Sequence, residues 1–192
     1  MRTKEILKEL KEHVPFTLLA TILAVIISLS FYKTKLPETL FELVHPLHIG
    51  VSAIVTAGIF YKYKGEIFQS LLIGITGSII IGSVSDVIFP YLSGILFNLK
   101  TSFHLPIIEE PILIFSSALI GSIVGLKTKI TELPHFIHVF LSVFGSLFYL
   151  LAFSTFNLIS MIIILGIVFL AVLIPCCFSD IVYPLLFIKK EE

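Results

Sequence analysis

The chain has 192 residues, 57% hydrophobic and 14% charged, with a mean hydropathy of +1.07. That is too apolar for a soluble domain of this length. A formal net charge of zero excludes a basic footprint for nucleic acid. The composition is that of an all-α, polytopic membrane protein whose first partner is the lipid bilayer.

In chain order, residues 1–12 form a charged segment with a helical pattern. The apolar run that follows is longer than a signal-peptide core and lacks a small-residue cleavage site, so it reads as a retained span. A spanning helix needs about 20 mostly apolar residues. Six stretches meet or approach that length: 15–32, 44–61, 67–97, 105–126, 134–153 and 158–188. The third and sixth are longer than one crossing. Each carries a Ser-Asp pair with a proline four residues after the Asp: Asp86 with Pro90, and Asp180 with Pro184. Proline removes a backbone donor and clashes with the preceding turn, which predicts kinked or broken third and sixth spans.

Lysine and arginine set the orientation. With the N-terminus inside, the inner segments hold Arg2, Lys4, Lys8, Lys11, Lys62, Lys64, Lys127, Lys129, Lys189 and Lys190, and the outer ones only Lys33, Lys35 and Lys100. This bias predicts both termini in the cytoplasm.

The two halves repeat each other at their polar residues. His13-Val14-Pro15 recurs as His104-Leu105-Pro106. His45-x-x-His48-x-x-x-Ser52 recurs as His135-x-x-His138-x-x-x-Ser142. Ser85-Asp86 recurs, with its proline, as Ser179-Asp180. The offsets are 91, 90 and 94 residues, and all six histidines fall into these pairs. The apolar positions between them drift. A repeat that keeps His, Ser and Asp while its Leu and Ile vary is keeping chemistry rather than shape. Three spans per repeat force the second copy to enter from the opposite side. The expected architecture is therefore a 3+3 inverted-topology repeat, residues 1–97 and 98–192, forming a single membrane domain.

On a helix, residues i, i+3 and i+7 share a face. His45, His48 and Ser52 therefore lie together, as do His135, His138 and Ser142. Topology then sorts the polar residues by depth. It predicts an outer cluster of His45, His48, Ser85, Asp86 and His104, and an inner cluster of His135, His138, Ser179, Asp180 and His13. Two imidazoles one turn apart plus a carboxylate suit zinc or another first-row divalent cation, and a third imidazole would complete four ligands. Structural hydrogen bonding between helices is the plainer alternative.

Glu109 and Glu110, which align with Leu18 and Leu19, are the main chemical asymmetry between the halves. At membrane depth they would face a cavity, pair with a cation or bind protons; at the interface they would simply be solvated. With Ser85 and Ser179 they are candidates for proton coupling or for lining a path. Cys176 and Cys177 align with Gly82 and Ser83. Cys177 could add a soft ligand to the inner cluster, whereas a buried inert thiol is the commoner case. Gly74, Gly77 and Gly82 are expected to allow close helix packing. The 18 Phe and six Tyr read as lipid-facing filler.

The sequence contains no HExxH, no Walker A loop and no G-x-S-x-G. The leading expectation is a small integral-membrane transporter of a divalent metal cation, with a small ion or small molecule as substrate. The alternatives are an intramembrane metal-dependent hydrolase with Glu109 or Glu110 as general base, and a proton-coupled transporter of a small organic substrate. A purely structural subunit is the remaining reading. A chain this small is compatible with a homo-oligomer.

Overall fold

The computed structural model describes residues 3–31, 36–127, 131–153, 172, 175–176 and 178–188. Every regular element among the described residues is helical, and three helices are long and apolar enough to cross a membrane: Glu38–Lys64, Ile67–Leu96 and Glu132–Phe153. Residues 158–171 of the expected sixth span lie outside the described residues.

The distribution of side chains is inverted relative to a water-soluble protein. Ile112 is 84% exposed and Ile120 62%, while all six histidines but His104 are at most 1% exposed. Large apolar groups outside and polar groups inside suit hydrocarbon rather than water, which supports association with a membrane.

Helix α1 (Thr3–Leu29) shows the pattern locally. Ile6, Glu9, His13, Thr17, Ala20 and Ala24 are buried, three or four residues apart, and form one stripe. Leu18, Leu19, Ile22 and Ile26 point outward. The charged N-terminal segment and the first apolar run are thus one helix, with Pro15 inside it.

Helix α2 (Glu38–Lys64) is central and packs against α3 (Ile67–Ser83), α6 (Pro111–Gly125) and α7 (Glu132–Phe153), while α1 lies along α7. Glycine permits the closest approaches. A Cβ on Gly74 would sit 2.5 Å from Ser122 Oγ and 2.8 Å from Ala57 Cβ. One on Gly82 would sit 2.5 Å from Ile49 Cδ1. The glycines of the third span therefore act as the expected packing surface.

The third span is not broken at Asp86. After α3 the chain makes a π-helical turn, Val84–Ile88, and continues as α4 (Phe89–Leu96) in one rod. Pro90 has no N–H to offer the Asp86 carbonyl. The chain instead widens by one residue, with Phe89 N–H bonded to the Val84 carbonyl. A second π turn, Phe178–Val182, carries Asp180 and runs straight into α8 (Tyr183–Leu186), which holds Pro184. Each proline yields a π turn in place of the expected kink or break, and each π turn presents the Asp.

The interruption falls in the stretch expected to be the fourth span. Helix α5 (Pro106–Glu109) ends at Glu110, whose φ of −130° and ψ of 55° leave the helical region before α6 starts at Pro111. The residue before a proline is disfavoured in the α region, so Pro111 sets the break.

Candidate functional site

Asp86 and Asp180 are each at the centre of a buried, nearly identical cluster. Asp86 Oδ2 accepts from His45 Nδ1 at 2.9 Å and His48 Nδ1 at 2.5 Å. Its Oδ1 accepts from Ser85 at 2.9 Å and Ser142 at 3.0 Å. Asp180 Oδ2 accepts from His135 Nδ1 at 2.7 Å, and His138 Nδ1 lies 2.8 Å away, off the hydrogen-bond direction. Its Oδ1 accepts from Ser52 at 3.1 Å and Thr56 at 3.3 Å. Both carboxylates, and all four imidazoles, are at most 1% exposed.

Helical periodicity explains the pairing. His45 and His48, one turn apart on α2, close on the Asp of the first π turn. Ser52, one further turn along, has passed that Asp and meets the Asp of the second π turn. On α7, Ser142 passes Asp180 and reaches Asp86 in the same way. Each carboxylate is therefore held by histidines of one half and a hydroxyl of the other. Ser146 extends the exchange by donating to the Ser85 carbonyl at 2.9 Å. Ser179, also buried, makes long contacts of 3.4 Å to Ser52 and 3.5 Å to the Gly77 carbonyl.

The expectation of one cluster near each membrane face is corrected by the contact between them. The rings of His48 and His138 are 4.6 Å apart, so the two clusters abut inside the bundle. The depth expectation placed the histidines at helix starts. That holds for α7, which begins at Glu132, three residues before His135, but α2 begins at Glu38, ten residues or about 15 Å before His48 at 1.5 Å per residue.

His13 and His104 do not ligate with their assigned clusters. His13 donates from Nδ1 to the Glu9 carbonyl at 2.8 Å, and its Nε2 is 3.1 Å from the Thr131 hydroxyl. Its ring meets His135 edge-on at 5.0 Å, so it backs that histidine without approaching Asp180. His104 Nδ1 pairs with Glu109 at 2.8 Å, and Phe41 separates it from His45. Glu109 is 49% exposed, and Glu110 is exposed as well. These carboxylates lie at the surface where the expected fourth span is interrupted, apart from the buried clusters.

Together these residues make a file of polar groups through the bundle. It starts at Glu9, whose carboxylate accepts from Lys62 at 2.7 Å and Tyr63 at 2.6 Å. It passes His13, then Thr17, whose hydroxyl is 2.8 Å from His135 Nε2. It continues through His135, Asp180, His138, His48, Asp86 and His45. There Phe41 stacks on His45 at 5.3 Å and meets His104 edge-on at 5.8 Å, before Glu109 ends the file. Burial opposes the charged form of Glu9, but the Lys62 ammonium and the Tyr63 hydroxyl hold its carboxyl below the usual carboxylate range.

Several contributors escape the motif reading. Thr56 and Ser146 extend the repeat by one turn, to His-x-x-His-x-x-x-Ser-x-x-x-Thr/Ser, and that spacing was available in the sequence. Phe41 and Tyr149 are fully buried rather than lipid-facing, and Tyr149 meets Phe41 at 5.3 Å. Gly145 makes room for Asp86, since a Cβ there would sit 2.6 Å from its Oδ2. No sequence signal separates these from ordinary apolar positions. Cys177 lies outside the described residues.

Chemically, each cluster has ligand atoms close enough to hold a metal ion: His45, His48 and Asp86, or His135, His138 and Asp180. The aligned Nδ1–Oδ2 separations of 2.5–2.9 Å are those of charge-assisted hydrogen bonds. Two ligands of one tetrahedral zinc stand about 3.3 Å apart, given bonds of about 2.0 Å. The aligned contacts are therefore closer than two ligands of one zinc ion would stand and have the spacing of hydrogen bonds. Among protein-family models, curated proteins and solved structures, none matches the chain.

Proposed function

We propose that this chain is a small integral-membrane transporter of a divalent metal cation. It has six spans in a 3+3 inverted repeat, residues 1–97 and 98–192, and both termini are cytoplasmic. Its partners are the bilayer and the ion. The polar file carries the reading: His and Asp side chains follow one another from Glu9 to Glu109 inside a bundle with an apolar exterior. Buried ionisable groups in a membrane span are costly and face a pathway or one another. The reciprocal contacts of Ser142 with Asp86 and Ser52 with Asp180 support the inverted repeat. The tight packing favours a small ion over an organic molecule.

The test is uptake of divalent cations by proteoliposomes holding the purified chain, with and without a pH gradient. Saturable uptake of a first-row cation, lost in Asp86→Asn and Asp180→Asn, is the expected result. Uptake that matches protein-free liposomes would sink the reading.

The hydrogen-bond distances favour one second reading, a proton relay coupled to movement of a small organic substrate. In that case proton flux persists without metal and is unaffected by chelators. The hydrolase reading is less favoured, since the carboxylates proposed as its general base, Glu109 and Glu110, are exposed and apart from the buried clusters.

A further inference from the structure

The two clusters account for the Nδ1 atoms of His45, His48 and His135, and Thr17 accounts for His135 Nε2. A carboxylate only accepts hydrogen bonds, so His48 Nδ1 must carry the proton it directs at Asp86. A neutral ring that donates from Nδ1 has its lone pair on Nε2. His48 Nε2 is buried and has no hydrogen-bond partner. His138 differs, in that its Nδ1 lies 2.8 Å from Asp180 Oδ2 but off the hydrogen-bond direction. Beside both rings lies Cys176, 1% exposed, and one ligand atom from each of His48, His138 and Cys176 falls within 4.8 Å of the others.

The geometry points to a third site, at the meeting point of the two halves, where His48, His138 and Cys176 bind a thiophilic first-row cation of the zinc class. It rests on the transporter reading for its role, though not for its chemistry. Asp86 and Asp180 act behind the ligands. Asp86 fixes the tautomer and orientation of His48, the arrangement in which a ligating histidine gives its other N–H to a carboxylate, and Asp180 stands 2.8 Å from His138 Nδ1. Charge suits a dication: one thiolate beside the ion and two carboxylates one ring away. Binding displaces the thiol proton of Cys176 to solvent, and the metal–sulfur bond takes its place. Three protein ligands leave a fourth tetrahedral position for water or an incoming group.

The asymmetry of the repeat explains why there is one such site. Cys176 occupies the position that aligns with Gly82. A Cβ on Gly82 would lie 3.6 Å from His48 Cε1, so that position is beside the ring in the first half also. One half supplies the thiol and the other supplies only space. A site on the symmetry element needs a single sulfur, and a second would crowd it.

The site is tested by titrating the full-length chain in detergent with Co2+, whose spectrum reports its ligands, followed by competition with Zn2+ and Mg2+. The expected result is one Co2+ per chain with a thiolate charge-transfer band. Zn2+ displaces it and Mg2+ does not. Cys176→Ser, close in size to the native residue, abolishes the band, and Asp86→Asn weakens binding about 10–100-fold. If Cys176→Ser fails to fold, protection of Cys176 from alkylation by Zn2+, mapped by mass spectrometry on the native chain, gives the same information. Two bound ions per chain, lost separately in His45→Ala and His135→Ala, would overturn the central site. So would a Co2+ spectrum without sulfur character. Metal bound with this signature but without uptake by liposomes would retain the site and remove the transporter. Uptake unchanged in Cys176→Ser, with no sulfur band in the native chain, would do the reverse.

Discussion

The two ends of the polar file are built on matching positions and finish differently. At the Glu9 end, Thr131 stands four residues before His135 and places its hydroxyl 3.1 Å from His13 Nε2. At the Glu109 end the matching position, four residues before His45, is Phe41. It fills the space between His45 and His104 and is itself packed by Tyr149 and Phe153. The clusters themselves are near copies. The position just outside them decides whether the file continues in hydroxyls or stops at a ring. The Glu109 end is thus interrupted by an aromatic ring, and the Glu9 end continues through the Thr131 hydroxyl.

The sharpest way to break the comparison is to remove a central carboxylate. Asp86→Ala or Asp180→Ala strands two imidazole N–H groups and two hydroxyls inside the bundle. Losing one partner of a buried charged pair costs about 3–5 kcal/mol. The two variants should be destabilised about equally, read by thermal unfolding in detergent. A large loss in one and near tolerance in the other would mean that the clusters are not equivalent.

Exchange at the two flanking positions comes next. Phe41→Thr should cost about 3 kcal/mol of packing while connecting His45 to His104. Thr131→Phe should close the other end. Proton or cation flux in liposomes should rise in the first and fall in the second. Equal flux in both would show that Phe41 is only packing.

The sequence made the chemistry legible and the geometry less so. All six histidines, both Ser-Asp pairs and their order along the chain could be read directly, because polar residues in an apolar chain stand out. That His48 meets His138 could not. The start of an apolar run is a poor ruler for the start of a helix, since α2 begins with Glu38 and Glu42 while already helical. The prolines were also ambiguous. Pro90 and Pro184 are absorbed by π turns, whereas Pro111 breaks its span, and the difference lies in whether an extra residue can widen the preceding turn. Phe41 carries no local signal, because an aromatic plug and a lipid-facing ring look alike until their neighbours are known.

A third test probes the room allotted to one cluster alone. Gly145 contacts Asp86, whereas the position 90 residues earlier is Val55, buried near the other cluster. Gly145→Ala forces Asp86 aside and should cost about 1–3 kcal/mol, the usual range for overpacking. Val55→Ala leaves space instead. The NMR shifts of His45 and His48 should move in Gly145→Ala while those of His135 and His138 stay unchanged.

The smallest effect concerns acid. Glu9 is held below its ordinary value of 4.5 by Lys62 and Tyr63. A carboxyl depressed in the folded state binds its proton more readily when unfolded, so its contribution is complete above that ordinary value and is lost as the pH falls below it. Lys62 is 42% exposed, so solvent and salt screen the pair, and its worth is under about 1 kcal/mol. The native chain should lose melting temperature as the pH falls below 4.5, and more steeply than Glu9→Gln. The difference should shrink in high salt. Parallel curves for the two proteins would mean that acid acts elsewhere. Because Glu9 sits beside His13, the same comparison reports whether the connected end of the file depends on a charged terminus. If Glu9→Gln slows flux while leaving the fold intact, the carboxylate attracts the ion as well as anchoring the helix.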